Sequence, residues 1–375
     1  MDQRLTILSV VGTRPEVIKM APVLRELGGR PDQVRSILCS TGQHRELLDQ
    51  ALSVFALEPD FDLDLMVPDQ RLPELTARLL EGLERVVVQV RPDWILAQGD
   101  TTTVFAAALV AFHGDIRFGH VEAGLRTGDL RSPYPEEMNR VVADLLAHRL
   151  FAPTEKARAA LLAEGRSPER IHVTGNTVVD ALHHVASLPY DWEAGPLAAL
   201  PGSSLIVLVT AHRRESFGEP LRALCHALRE LADRVPEAQL VFPVHLNPNV
   251  RAPVNEILRG LPNVHLVEPL DYVSLVHVMK RSTLILTDSG GIQEEAPTFG
   301  IPVLVLRDKT EREEAVEAGV AKLVGTDPSA IVAESERLLR DERARAGFVR
   351  DENPFGDGHA AERIVGVLLD EATAS

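Results

Sequence analysis

Cysteine, aromatic residues and long apolar segments are all scarce in this sequence of 375 residues. Its two cysteines, Cys39 and Cys225, lie far apart, so we expect no disulfide framework and predict a reducing compartment, the cytoplasm. The longest apolar run, residues 104–112, is about half the length of a membrane-spanning helix. No apolar segment with a cleavage site opens the chain, so we predict no signal peptide.

Positive charge is also in short supply. Lysine and arginine number 39 against 55 acidic residues, which gives a formal net charge of −16. This balance disfavours nucleic-acid binding through phosphate neutralisation and docking to an anionic membrane. An anionic ligand would therefore need a local cationic pocket.

Several common cofactor motifs are missing. The sequence has no G-x-G-x-x-G fingerprint, no Gly-Lys pair of a P-loop and no His-Glu pair of a zincin helix. Asp62 and Asp64 have the D-x-D spacing of metal-dependent transferases, but they lie in an apolar/polar alternation typical of an exposed strand or loop. We therefore predict neither a metal nor a dinucleotide cofactor.

Short apolar runs alternate with amphipathic stretches along the whole chain. Runs of four to eight residues rich in Val, Ile and Leu are typical of strands buried on both faces of a parallel sheet. In the stretches between them, such as residues 74–90, apolar residues recur every three or four positions, which indicates helices. The alternation predicts βαβ units. The runs are residues 5–11, 34–40, 93–98, 116–121, 149–152, 171–174, 204–210, 239–244, 264–267, 283–287, 302–306 and 321–324.

A segment rich in Pro, Gly and Ala at residues 188–202 separates two sets of six runs. We predict an N-terminal Rossmann-like domain at residues 1–187, a linker at 188–202, a C-terminal Rossmann-like domain at 203–350 and a C-terminal helical segment at 351–375. The predicted fold class is α/β, with two doubly wound parallel-sheet domains. Ligands in such sheets lie beyond the carboxyl ends of the strands, so we expect the active site there, in the interdomain cleft.

Polar residues follow the predicted strands of the first domain. Arg14 and Lys19 flank a helix N-terminus, an arrangement that favours an anion. Asp100, Glu122 and Glu136 lie at strand ends or in the loop that follows one. Carboxylates crowded at one site raise one another's pKa, which suits general acid/base chemistry. Each residue also has an alternative interpretation without a catalytic role. Asp100 would then be the N-cap of the next helix, and Glu136 would be a first-turn acid that complements the helix dipole.

The second domain carries the complementary charge. His212 and His245 each follow a predicted strand, and Ser289–Gly291 opens a helix whose backbone N–H groups can cradle phosphate oxygens. Glu295 lies one turn further, where an acid could accept from the two hydroxyls of a ribose. For Arg312, two interpretations stay open: it contacts a phosphate or the uracil, or it is a surface cation. The two domains together indicate a nucleotide-linked substrate.

Eight motifs, taken in order from about residue 5 to about residue 360, resemble the non-hydrolysing UDP-N-acetylglucosamine 2-epimerases of bacteria. The resemblance implies a glycosyltransferase-B-like fold and interconversion of UDP-GlcNAc and UDP-ManNAc without a redox cofactor. It also implies a homodimer that supplies ManNAc units for surface polysaccharides. The motifs are residues 12–16, 98–103, 120–128, 135–137, 174–177, 212–215, 243–248 and 287–295.

The resemblance also assigns roles to single residues. The acid/base carboxylates and the active-site histidine of the family match Asp100, Glu122, Glu136 and His212. The nucleotide-contacting residues match Arg14, Lys19, Ser289, Gly290, Gly291, Glu295 and Arg312. Some members bind UDP-GlcNAc at a second, allosteric site, and the residues that resemble it are Gln43, Arg71, Arg213 and His245.

The chemistry of the substrate restricts the mechanism. No carbonyl acidifies the hydrogen at C2 of GlcNAc, so we expect UDP to leave C1 first and a carboxylate then to remove the C2 proton. A 2-acetamidoglucal and UDP would result, and re-addition from the other face would give the epimer. Three alternatives stay open at this point: a hydrolysing epimerase that releases ManNAc and UDP, a glycosyltransferase that needs an acceptor, and a non-catalytic sugar-nucleotide sensor.

Overall fold

The protein divides into two compact units, Met1–Ala181 with Phe355–Ser375 and Leu182–Pro354. The computed structural model describes residues 4–42, 45–65, 67, 70–202, 205–211, 213, 217–350 and 352–374. The segment 188–202, which we expected to be a linker, lies in the second unit, and most of the C-terminal segment belongs to the first unit.

The first unit contains a parallel sheet of seven strands in the order β3-β2-β1-β4-β5-β6-β7. The sequence predicts six of these strands, each to within one residue at either end. The seventh is the two-residue edge strand that holds Asp62, too short to produce a hydrophobic pattern. The strands are β1 Leu5–Val11, β2 Val34–Ser40, β3 Phe61–Asp62, β4 Trp94–Gln98, β5 Arg117–Val121, β6 Arg149–Ala152 and β7 Ile171–Val173.

Helices cover both faces of this sheet, which explains why its strands are apolar throughout. Side chains of β1, β4, β5 and β6 are almost entirely buried, and Trp94, Phe118 and Phe151 are the largest of them. The division between the two units falls within α7. The helices of this part of the chain are α1 Arg14–Gly28, α2 Arg45–Val54, α3 Leu72–Val90, α4 Thr102–His113, α5 Glu136–Leu146, α6 Glu155–Ala163 and α7 Thr177–Ser187.

The second unit contains a parallel sheet of six strands, the number that the sequence predicts, in the order β10-β9-β8-β11-β12-β13. Its strands are β8 Leu205–Thr210, β9 Ala238–Pro243, β10 Val264–Val267, β11 Leu284–Thr287, β12 Val303–Val305 and β13 Ala321–Leu323. Its helices are α8 Glu219–Arg234, α9 Pro248–Leu258, α10 Tyr272–Arg281, α11 Gly290–Glu295, α12 Glu313–Glu317, α13 Pro328–Arg340 and α14 Glu342–Ala346.

Aromatic contacts explain why the expected linker lies in the second unit. Tyr190 stacks on His277 of α10 with 4.8 Å between ring centroids. The guanidinium of Arg281 lies 4.5 Å from the ring centroid of Trp192. Such contacts bury aromatic surface that a free linker would expose to water.

The C-terminal helix α15, Ala360–Ala374, packs against α1 of the first unit. The loop before it is fixed by backbone contacts, because the N–H of Asn176 donates to the carbonyl of Phe355 at 2.7 Å. Gly175 has a φ of +87°, and a Cβ on it would lie 3.2 Å from the Cα of Gly356. The tail therefore supports the residues that follow β7. Within the described ranges, no helix combines the length and apolarity needed to cross a bilayer.

Candidate active site

The turn between β1 and α1 is organised around a buried carboxylate. Glu16 accepts hydrogen bonds from the backbone N–H groups of Gly12 and Thr13, both at 2.7 Å. A Cβ on Gly12 would lie 2.4 Å from Thr41 Oγ1 and 2.5 Å from Thr103 Oγ1, so only glycine fits there. Burial raises the pKa of Glu16 to about 6, although its hydrogen bonds act in the opposite direction.

Asp100 follows β4 but does not cap the next helix. The N-cap of α4 is Thr101, whose side chain accepts from the N–H of Val104 at 3.4 Å. The carboxylate of Asp100 forms an ion pair with Arg140, and the amide of Asn139 donates to the Asp100 carbonyl at 2.9 Å. The alternative that Asp100 is the helix cap is therefore wrong.

Arg140 of α5 joins two of the predicted carboxylates. Besides its pair with Asp100, it donates to the carbonyl of Glu122 at 3.1 Å and lies 3.7 Å from Glu122 Oε1. Burial alone would raise the pKa of Asp100. The charge and hydrogen bond of Arg140, with the charges of Lys19 and His120, hold that pKa below its ordinary value. Asp100 is therefore a carboxylate at neutral pH, and the expectation that crowded acids raise its pKa is wrong for this residue.

Glu122 has a backbone conformation that side-chain-bearing residues rarely adopt. Its φ is +65°, in the left-handed region, and it is 6% exposed. Its carboxylate forms an ion pair with Lys19 of α1, and Asn176 Nδ2 donates to it at 3.1 Å. Such a conformation costs on the order of 1–3 kcal/mol and persists only where surrounding contacts fix it. Lys19, Arg140 and Asn176 supply those contacts.

Glu136 is the first residue of α5, in the first turn where an acid complements the helix dipole. Its neighbour Glu137 holds the preceding loop by accepting from the N–H groups of Thr127 and Gly128 at 2.9 and 3.0 Å. Glu136 Oε2, in contrast, is buried and has no hydrogen-bond partner among the described residues. This oxygen therefore retains its full capacity to accept a hydrogen bond.

Arg14 begins α1 and is half-buried. Its guanidinium has no ion-pair partner among the residues that the structure describes. Lys19, the other predicted cation of this helix, is already paired with Glu122. Of the two predicted cations, Arg14 is therefore the one that can receive an anion without breaking an existing pair.

In the second unit, a guanidinium lies next to the start of α11. Ser289 is the N-cap of this helix, and its N–H donates to Thr287 Oγ1 at 2.9 Å. A Cβ on Gly290 would lie 3.6 Å from the Cζ atom of Arg312. Arg312 is held by an ion pair with the buried Glu294. Gly290, one of the residues predicted to bind phosphate, thus lies next to Arg312.

A series of hydrogen bonds connects Arg312 to the N-cap of α11. The hydroxyl of Thr310 accepts from the N–H of Arg312 at 3.0 Å and donates to Gln293 Oε1 at 2.6 Å. Gln293 Nε2 in turn donates to the carbonyl of Ser289 at 3.1 Å. Glu295, predicted to bind a ribose, is 9% exposed at the end of the same helix.

Two predicted residues, His212 and Gln43, lie outside the described residues. Arg213, one of the predicted allosteric residues, has its backbone N–H bonded to Asp288 Oδ2 at 2.9 Å. This contact joins the segment after β8 to the residue before Ser289.

The remaining predicted allosteric residues are exposed. Arg71 pairs with Glu74 of α3 at 2.6 Å. His245 accepts through Nδ1 from the N–H of Asn247 at 3.1 Å. They lie in different units, and their role stays a prediction.

Sequence reasoning did not single out Arg140 and Asn176. Arg140 lies four residues after Glu136, on the same face of α5, so its spacing was an available signal. Asn176 follows β7 and therefore lies at the same edge of the sheet as the other strand-end residues. From a single sequence, a polar residue that holds a catalytic group cannot be distinguished from one that only stabilises the fold.

No group of three or more His, Cys, Asp or Glu side chains placed to hold a metal occurs among the described residues. The chemistry that the geometry supports is proton transfer by carboxylates in the first unit and binding of an anion in the second.

Comparison with known proteins places this arrangement in a family. A family model described as UDP-N-acetylglucosamine 2-epimerase matches residues 26–369. The UDP-N-acetylglucosamine 2-epimerases of Yersinia pestis and Escherichia coli K12 are 52% and 50% identical over 370 residues, 97% of this chain and 98% of each relative. The crystal structure of a Neisseria meningitidis UDP-GlcNAc 2-epimerase bound to UDP-GlcNAc is 45% identical, with a TM-score of 0.87 over 98% of this chain and 100% of that one. The chain therefore belongs to the UDP-N-acetylglucosamine 2-epimerase family.

Proposed function

We propose that the protein interconverts UDP-GlcNAc and UDP-ManNAc by elimination and re-addition of UDP, without hydrolysis. One observation carries the proposal: the guanidinium of Arg140 contacts both Asp100 and Glu122 at the carboxyl ends of neighbouring strands. A sensor of a dianionic ligand would gain nothing from carboxylates crowded at that edge. Family membership supports the identity of the substrate.

In the first step, the bond between C1 and the β-phosphate oxygen breaks, and its electron pair leaves with UDP. A carboxylate removes the proton from C2, and the electrons of that C–H bond form the C1–C2 double bond of 2-acetamidoglucal. Asp100 is a candidate for this role because it follows β4 and is ionised. Arg14, His212 and Ser289–Gly291 would stabilise the departing diphosphate.

In the second step, a carboxyl group on the opposite face returns a proton to C2, and the β-phosphate oxygen adds to C1. The product is the C2 epimer, and the carboxyl group that gave the proton is left ionised. Glu136 is a candidate for this group because Oε2 has no hydrogen-bond partner among the described residues. Glu122, held by Lys19 and Asn176, is the other.

The resemblance supports further assignments. We propose that Glu295 and Arg312 contact the uridine and its phosphates, and that Gln43, Arg71, Arg213 and His245 bind a second UDP-GlcNAc. A homodimer and a supply of ManNAc for surface polysaccharides complete the proposal.

Incubation of the purified protein with UDP-GlcNAc alone, followed by NMR, tests the function. We expect the resonances of UDP-ManNAc and only traces of free UDP. Stoichiometric free ManNAc and UDP would instead show a hydrolysing epimerase. A requirement for an acceptor would show a glycosyltransferase.

A further inference from the structure

A fully buried histidine lies directly behind the carboxylate site. His120 of β5 is 0% exposed. Its Nδ1 lies 2.6 Å from Asp144 Oδ1, and its Nε2 lies 2.7 Å from the carbonyl oxygen of Gly99. Gly99 is the residue before Asp100, and Asp144 belongs to α5, the helix that carries Arg140. His120 therefore bridges the two elements that hold the Asp100–Arg140 pair.

Both ring nitrogens of His120 face oxygen atoms that accept hydrogen bonds. A neutral imidazole has one N–H and one lone pair. In either neutral tautomer, the lone pair would face an acceptor oxygen at 2.6 or 2.7 Å, buried from water. Only the doubly protonated ring donates to both acceptors.

Asp144 does not supply the missing proton. Arg126 lies 2.7 Å from Asp144 Oδ2, and the N–H of Gly124 donates to the same oxygen at 3.2 Å. Asp144 is therefore a carboxylate, and the proton belongs to His120.

The charged groups around the ring come from several elements. Asp144 and Arg140 lie on α5, and Asp100 follows β4. Arg126, in the loop after β5, also pairs with Glu164 at the end of α6. The apolar side of the ring stacks on Phe118, with 6.0 Å between centroids.

We propose that His120 is a positioning residue that is held as an imidazolium and fixes the backbone before Asp100 relative to α5. Its two hydrogen bonds place Asp100 where Arg140 can pair with it and where its carboxylate meets the substrate. The inference deepens the proposed function and depends on it only for the kinetic readout. His120 itself does not touch the substrate.

The protonation state is tested on the wild-type protein by ¹⁵N–¹H NMR of the histidine rings at pH 7. The His120 resonances are identified by nuclear Overhauser contacts to the Phe118 ring. We expect both ring nitrogens to carry protons that exchange slowly with water. A single N–H on this ring would overturn the proposal, whether or not the protein is an epimerase.

The positioning role is tested with His120→Asn and with the control His172→Asn. His172 of β7 lies 6.0 Å from the Phe151 ring, but its Nε2 has no hydrogen-bond partner among the described residues. We expect His120→Asn to lower kcat by about 10-fold to 10²-fold, the cost of a small displacement of a catalytic group, while KM stays within about 3-fold. His172→Asn should keep the kcat of the wild type.

Asp144→Asn provides a second variant, which also serves if His120→Asn does not fold. If the two residues act through one contact, the double variant should lose no more kcat than the more impaired single variant. A wild-type kcat in the folded fraction of either single variant would overturn the proposal. An inactive wild-type protein would overturn the proposed function instead, and the NMR result would stand.

Discussion

Arg140 contacts two of the three proposed acid/base carboxylates, so its removal should alter the pH dependence of the reaction. In Arg140→Met, the pKa of Asp100 should rise because its main opposing charge is lost. The acidic limb of kcat/KM should then move to higher pH, and kcat at neutral pH should fall by about 10²-fold. Arg149→Met, the same change at an arginine of β6 that pairs with Glu371, is the control. An unchanged pH–rate profile would show that Arg140 does not set the ionisation of Asp100.

Glu16 should make the stability of the protein depend on pH. Its pKa is raised from 4.5 to about 6, so the folded state binds its proton more tightly than the unfolded state does. The stabilisation is therefore present below pH 4.5 and is lost as the pH rises through 6, a change of about 2 kcal/mol in the free energy of unfolding.

Glu16→Gln cannot titrate, so it isolates this effect. The free energy of unfolding of this variant, relative to that of the wild type, should rise by about 2 kcal/mol between pH 4 and pH 7 in urea titrations. Glu26→Gln, on the same helix, controls for the chemical change. A difference between wild type and Glu16→Gln that stays constant over this range would contradict the raised pKa.

The predictability of the site differs from residue to residue. Asp100, Glu122 and Ser289 follow buried strands, and a polar residue at the carboxyl end of a parallel strand can be recognised from its position in the chain. The spacing places Arg140 on the same face of α5 as Glu136, but the residues that this face contacts depend on how α5 packs, which a single sequence does not show. The positive φ of Glu122 is likewise set by the contacts of its side chain and not by residue type.

At the scale of the elements, one residue connects the N-terminus of α4 to the turn after β1. Thr101 caps this helix and also donates to Glu16. Thr101→Ala should therefore cost more than the roughly 1 kcal/mol of a lost cap. Thr154→Ala, at the N-cap of α6, is the matched comparison, and Thr101→Ser should retain most of the stability. Equal losses for the two alanine variants in urea titrations would contradict the link between Thr101 and Glu16.

The elements themselves were predictable because both faces of each sheet are buried. Every strand predicted from the apolar runs is present to within one residue, including β1, β2, β6 and β10 with their predicted bounds. The fold class is confirmed: two Rossmann-like parallel-sheet domains of the glycosyltransferase-B-like kind. The return of the C-terminal segment to the first unit was not predictable. The periodicity of residues 360–374 predicts a helix, but it does not indicate which helix packs against it.

At the scale of the whole molecule, we expect nucleotide binding to depend mainly on the second unit. UDP should stabilise the wild type by about 2.7 kcal/mol at a hundred times its Kd. This stabilisation should appear as a higher unfolding temperature. Asp100→Asn should keep this shift, and Arg312→Met should lose most of it. Arg307→Met, which removes an arginine paired with Glu311, is the control. A full shift in Arg312→Met would contradict the assignment of the phosphate site.

The central claim, reversible proton transfer at C2 by carboxylates, is tested most directly by running the reaction in D2O. We expect the product UDP-ManNAc to carry deuterium at C2, and the recovered UDP-GlcNAc to acquire it as equilibrium approaches. In Asp100→Asn, Glu122→Gln and Glu136→Gln, incorporation should slow by at least roughly 10²-fold. Epimerisation that leaves C2 unlabelled, or amide variants that all exchange this hydrogen at the wild-type rate, would contradict the account.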